Sequence, residues 1–199
     1  MSILKDILGS EPKDCKDIYG AINSRQVLAL MFHNESADLY GFMGLEGFKC
    51  MHEYQYLSES AEHREIKSYY LSKHDKILPE GEGLKPVDVV PDDWLQYTRM
   101  DVTANVRKQH IERAMNQYLK WESDTLEMYN ECAHYLMEWG KSADFFKMKH
   151  LIHDVSKELT CLKSLYLKIR ASDYSLEYIT SIQDELKEKY CCKSVRIEK

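Results

Sequence analysis

The sequence predicts an all-α protein, built as up-down helical hairpins joined by a long crossover and closed by a short terminal helix. Three observations predict it. Apolar residues recur at the 3.6-residue period through four long stretches, 16–40, 48–77, 102–139 and 142–169. Three of the four prolines fall together in 79–100, where all periodicity stops. Strand signals are nearly absent, with only Val87–Val90 suited to pairing. The 199 residues suffice for one sizeable core, and 1–199 is read as a single helical domain.

Residues 1–14 read as an N-terminal arm. Ile3, Leu4, Ile7 and Leu8 make a turn or two of helix before Gly9, Ser10 and Pro12 interrupt it. The first long helix, 16–40, carries Ile18, Ile22, Ala29, Phe32, Ser36 and Tyr40 on one stripe. Gly41, Gly44 and Gly47 lie three apart, a poor helix interior, so the segment 41–47 is expected to form the tight turn of a hairpin. The second helix, 48–77, ends before Pro79. A crossover over 79–100 would carry the chain the length of a bundle, so that the next helix runs parallel to the last. Asp101 is the expected N-cap of the third helix, 102–139, whose stripe is Ile111, Met115, Tyr118, Leu126, Tyr129, Ala133 and Leu136. Gly140 stops it. The fourth helix, 142–169, has a clean apolar face of Phe145, Met148, Ile152, Val155, Leu159, Leu162 and Tyr166. Ser172 or Asp173 is expected to cap a short fifth helix, 174–190.

Charge narrows the functional classes. The formal net charge of −6 leaves no global basic field to hold nucleic acid or an anionic membrane. No apolar run approaches the roughly 20 residues of a membrane span. The N-terminal apolar stretch is too short, and too closely followed by acids, for a secretory signal. The six cysteines, at 15, 50, 132, 161, 191 and 192, show neither C-x-x-C pairs nor a disulfide framework. Reduced thiols in the cytoplasm are therefore expected, including at the vicinal pair Cys191-Cys192.

The second helix carries the chemical signal. Placed at 100° steps, Met51, Tyr54, Ala61, Ile66 and Tyr69 share one broad arc, and Glu62 and Glu65 fall inside it. Glu122 lies mid-stripe on the third helix, four residues after Tyr118 and four before Leu126. An ionised carboxylate buried without a partner costs several kcal/mol, so these acids must bind metal, find a cation, hold a proton or sit on a wet seam. Converging carboxylates favour hard cations and iron over zinc or copper. His150, His153 and Asp154 have ligand-like spacing but point away from the core stripe, and are read as a surface patch beside Phe146. Neither a nucleophile–base arrangement nor a phosphate-binding glycine loop is present.

The order of elements and several local stretches resemble the ferritin-like superfamily, and the ferritins within it. Pro91-Asp92-Asp93-Trp94 before the third helix is similar to an acidic-Trp segment of animal ferritins. Glu112-Arg113-Ala114-Met115-Asn116-Gln117 is similar to their third-helix register, and Arg170-Ala171-Ser172-Asp173-Tyr174-Ser175-Leu176-Glu177-Tyr178 to their link into the fifth helix. Met51-His52-Glu53 after a Gly-rich turn has a weaker likeness to DNA-protecting mini-ferritins. The resemblance implies a four-helix bundle with an iron site of carboxylates from the first and third helices and a Glu-x-x-His pair on the second.

Carried over residue by residue, the implied site is altered or lost. Glu62 matches the second-helix glutamate, but Glu65 stands where histidine belongs. Glu122 is the third-helix carboxylate by helical phase and Glu112 by local sequence. On the first helix His33 lies nearer the centre of the stripe than Glu35. On the fourth helix Asp154 and Glu158 only flank the core face, and Lys157 stands where a second histidine would be. The expected metal ligands are thus Glu62, Glu65, Glu122, Glu35 and His33, with iron as the metal, or none if the centre is dead. Two functions follow: an iron-binding protein that oxidises and stores iron in an oligomer, or a non-catalytic scaffold that binds a protein partner or a second copy of itself.

Overall fold

A computed structural model of the chain describes residues 2–78, 88–90, 94 and 98–191. It is helical, with no strand among the described residues: α1 Ile3–Leu8, α2 Cys15–Phe42, α3 Glu46–His74, α4 Ala104–Glu138, α5 Ser142–Ala171 and α6 Leu176–Leu186. A 3₁₀ turn, Arg99–Asp101, precedes α4, and a π-helical turn, Lys187–Cys191, continues α6. Most of the crossover expected at 79–100, the acidic-Trp segment apart from Trp94, and Cys192 lie outside the described residues.

Helix ends follow local chemistry, with corrections. Asp14 caps α2 by accepting from the Asp17 N–H at 3.1 Å. Thr103, not Asp101, caps α4, accepting from Val106 N–H; Asp101 instead closes the 3₁₀ turn through reciprocal bonds with Thr98. Asp75, in the left-handed region at φ 52°, ends α3 three residues before the expected Ile77. Asp173 and Tyr174 are also left-handed, so α6 begins at Leu176 with Ser175 as its N-cap.

The three glycines between the first two long helices divide their work. Gly44 alone makes the turn, at φ 74°. Gly41 stays inside α2. Gly47 lies in α3, where a Cβ would meet the backbone of Gln183, 2.9 Å from its Cα. It is a docking point for α6, held by a bond from Gly47 N–H to Gln183 Oε1 at 3.0 Å.

Four long helices form the bundle. Gln55 of α3 reaches Tyr118 of α4 at 3.3 Å, and farther along, His74 at the end of α3 meets Asp144 at the start of α5. Because α5 starts where α4 ends, α3 and α4 run the same way, as a crossover requires. The arm folds back on α4, where the Leu4 N–H and Ser2 hydroxyl donate to Glu131. A Cys50–Cys191 disulfide, Cα–Cα 5.1 Å, ties the π-helical turn to α3 and overturns the expectation of free thiols at these two positions.

The core is not continuous. One apolar cluster gathers Phe32, Phe48, Met115, Trp121, Ile169 and Ile179, while the other, at the arm end, gathers Leu4, Ile18, Ile66, Met128, Leu136 and Met148. Between them on α2 come Asn23, Ser24, Arg25 and Gln26, all buried. Glu122 and Thr125 of α4 are buried at the same level.

Candidate metal centre

That polar belt gathers acids from three helices, with Arg25 buried beside Glu59 and Glu122 and with Lys147 and Lys157 facing Glu62 and Glu158. On α3, Gln55, Glu59 and Glu62 follow i, i+4, i+7 spacing and form a single stripe. Glu122 arrives from α4 and Glu158 from α5; Glu59 feels the charges of Glu62, Glu122 and Glu158, opposed by Arg25 of α2. Arg25 is held on three sides. Its Nε donates to Thr125 Oγ1 at 2.9 Å, its Nη2 to the Trp121 carbonyl at 2.7 Å, and its guanidinium lies 3.3 Å from the Trp121 ring centre.

Burial first, then the neighbouring carboxylates, makes ionisation difficult. Glu122 is only 2% exposed, and its pKa is pushed up to about 8 by burial and Glu158, with Arg25 opposing. Burial and the Glu158 charge push Glu62 up to about 7. Glu59 stands well above the usual carboxylate range for the same reasons. Glu158 is raised by burial, against the hydrogen bond it accepts from Gln55. Glu122 Oε1 has no hydrogen-bond partner among the described residues. A cleft of about 640 Å³ between α3, α5, α6 and the π-helical turn, with Tyr118 of α4, includes Glu62 and Glu158 in its walls, with Lys157, Lys168 and Lys189.

The structure brings together two of the five expected ligands, Glu62 and Glu122. Glu65 is exposed and ion-paired with Lys147 at the edge of the cluster, where its charge still raises Glu62. Glu35 accepts from the Val89 N–H, under the crossover, with Asp88 and Asp38 nearby. His33 is fully buried with its Nδ1 3.0 Å from His52 Nδ1, among Phe32, Tyr40 and Tyr118. Burial holds His33 down at about 3 and His52 well below its ordinary value, so this pair is neutral. Between the two α4 candidates, Glu122 is buried and Glu112 exposed. Glu59 and Glu158 are the acids sequence reasoning passed over. Glu59 precedes Glu62 by three residues, the same-face spacing, so its signal was there to read. Arg25 gave no signal, because one basic residue on a helix is ordinary until its surroundings are known.

No acid trio in the belt closes to the reach of a single ion with its present rotamers. Among the described residues, one trio does have donor atoms within 4.8 Å of one another: Cys15, His74 and Asp144, at the far end of the bundle.

No protein-family model and no curated protein matches the chain. A search of solved structures matches an engineered closed form of the Archaeoglobus fulgidus ferritin, with a TM-score of 0.67 and 13% identity, covering 89% of this chain and 96% of that one. The fold is therefore ferritin-like, a four-helix bundle with a short helix after it.

Proposed function

We propose that the chain binds ferrous iron in the polar belt, through Glu62, Glu122, Glu158 and Glu59, as one ion per chain. The observation that carries this reading is the buried Glu122 carboxyl, held near neutrality and unpartnered at Oε1, facing other acids. The donor set fits the metal: all are hard oxygens on long, flexible side chains, with Glu62 and Glu158 at the cleft to admit an ion. Charge limits the number. Two ferrous ions beside Arg25, Lys147 and Lys157 would set seven positive charges against six carboxylates, with Asp154 and Glu65 counted; one ion sets five against six.

The chain's own groups do the following. Glu62 and Glu158 receive the ion from the cleft. Glu122 gives up its proton as the ion arrives, and Arg25 steadies the remaining negative charge from behind. When bound, ferrous iron supplies an electron to oxygen or peroxide. Storage as ferric mineral in an assembled shell of copies is the wider role this reading carries. Among the described residues, no helix is long and apolar enough to cross a membrane.

Arg25 also favours a second reading, in which it replaces metal outright and the bundle is a scaffold for a protein partner. Anaerobic titration with ferrous iron separates the two. Iron binding predicts one ion per chain with release of a proton, an affinity at least about tenfold weaker in Glu122→Gln, and ferric absorbance rising faster than in buffer once air enters. Absence of heat and proton release in the folded wild-type protein would leave the scaffold.

A further inference from the structure

Cys15, His74 and Asp144 meet at the arm end of the bundle, well away from the acidic belt. They come from three helices: Cys15 is the first residue of α2, His74 the last of α3, and Asp144 lies in the first turn of α5. Their donor atoms all lie within 4.8 Å of one another, and His74 Nε2 is 3.1 Å from Asp144 Oδ1. Asp144 is 2% exposed and Cys15 8%, while His74 keeps part of its ring in solvent. The trio therefore has a buried floor and one wet side.

Surrounding groups prepare the carboxylate for more than a single bond. The Tyr19 hydroxyl donates to Asp144 Oδ1 at 2.9 Å, and the Tyr69 hydroxyl approaches the same oxygen at 3.4 Å. Tyr19 and Tyr70 pack their rings against the His74 imidazole and fix its plane. Such hydrogen bonds and ring contacts orient ligands around metal ions. Asp14 and Lys141 are the other charged groups that face Cys15, with Tyr69 and Tyr70 beside them. Burial and then Asp144 hold the Cys15 thiol above its ordinary range.

We propose that Cys15, His74 and Asp144 form a zinc site, with water in the fourth position on the His74 side. One thiolate, one imidazole and one carboxylate are the mixed, borderline-soft set that tetrahedral zinc takes, and a thiolate disfavours magnesium or calcium. Zinc binding releases one proton, from the Cys15 thiol to solvent, while His74 ligates as the neutral ring with its proton on the nitrogen facing away from the ion. The ion closes the end of the bundle by joining α2, α3 and α5. The proposal is independent of iron in the belt, since no residue is shared.

Cobalt(II) is the probe, titrated anaerobically into the full chain with its disulfide intact. The expected result is a thiolate-to-cobalt charge-transfer band in the near ultraviolet whose amplitude corresponds to one thiolate-bound cobalt per chain, whatever cobalt the belt also takes, and which excess zinc bleaches. Cys15→Ser abolishes the band, and His74→Ala weakens cobalt affinity at least about tenfold. Cys161→Ser, at the exposed free thiol, and Glu122→Gln leave the band unchanged. Zinc raises the melting temperature of the wild-type chain and not that of His74→Ala. A wild-type chain without the band overturns the proposal, as does a band that survives Cys15→Ser or vanishes in Cys161→Ser. If Cys15→Ser fails to fold, His74→Ala decides: its ring is partly exposed, and unchanged cobalt affinity there overturns the site.

Discussion

Buried ionisable groups of opposite tendency set how this protein responds to pH. Glu62 and Glu122 have folded-state values raised to about 7 and about 8. Their contribution is complete below the unfolded value near 4.5 and is lost as pH rises through 7 to 8. His33 is lowered to about 3 and His52 moves the same way. Their contribution is complete above the unfolded value near 6.5 and is lost as pH falls toward 3. Glu59 and Glu158 are raised too, so the acids outnumber the two histidines and stability of the metal-free chain should be greatest near about pH 4.5 to 5 and fall toward pH 8. Thermal melts across pH check it: the wild type loses melting temperature on both sides. Glu122→Gln, which never ionises, gains on the order of 1–3 kcal/mol at about pH 8 and little at pH 5. A wild-type profile flat from pH 5 to 8 would remove the buried-acid account. Ferrous iron should flatten the alkaline side, because the bound ion holds these carboxylates ionised at no cost in burial.

The last helix is held by two devices, each with its own prediction. Gly47 lets the α6 backbone approach α3, and a Cβ there would strike Gln183. Gly47→Ala should cost about 1–3 kcal/mol by overpacking, read in urea unfolding, with α6 exchanging its amide hydrogens faster than α3. An unperturbed α6 would mean that the helix docks without this approach. The Cys50–Cys191 disulfide holds the π-helical turn from below. Cys50→Ser should lower stability by about 2–4 kcal/mol, and the wild type under reductant should fall to the same level. Non-reducing peptide mapping should recover the 50–191 pair. These two features also mark the limit of sequence reading. The rods and the stop at Gly140 were legible because apolar period and turn residues are local signals. Gly47 read as a turn residue, since close approach to a helix 136 positions later is a tertiary fact. Cys50 and Cys191 lie 141 residues apart, and no local spacing relates them.

At the scale of the whole molecule, the bundle and its crossover were legible in the order of helices and breaks. The centre was legible only in part. Glu62 and Glu122 stood out because acids inside an apolar stripe break a pattern. Glu65 belonged to the same arc on paper, yet the arc's edge became surface, and Lys147 claimed it. The Cys15, His74 and Asp144 trio had no sequence signal, because its members are far apart in the chain and each falls at a helix end. Assembly belongs to this scale too. Met137, Phe146 and Leu167 expose more than half of their surface. If the chain stores iron, it should run as a multi-subunit shell in analytical ultracentrifugation; a monomer at micromolar concentration would favour the scaffold.

The interruption between the two oily clusters has one more consequence. Each half of the rod buries its own greasy residues, and a buried polar waist lies between them. Under mild denaturant the molecule should then give way at the middle first, with amides around Arg25, Glu59 and Glu122 exchanging through a smaller opening than those beside Met115 or Met128. A cation seated in the waist would splice the halves, so that they melt as one.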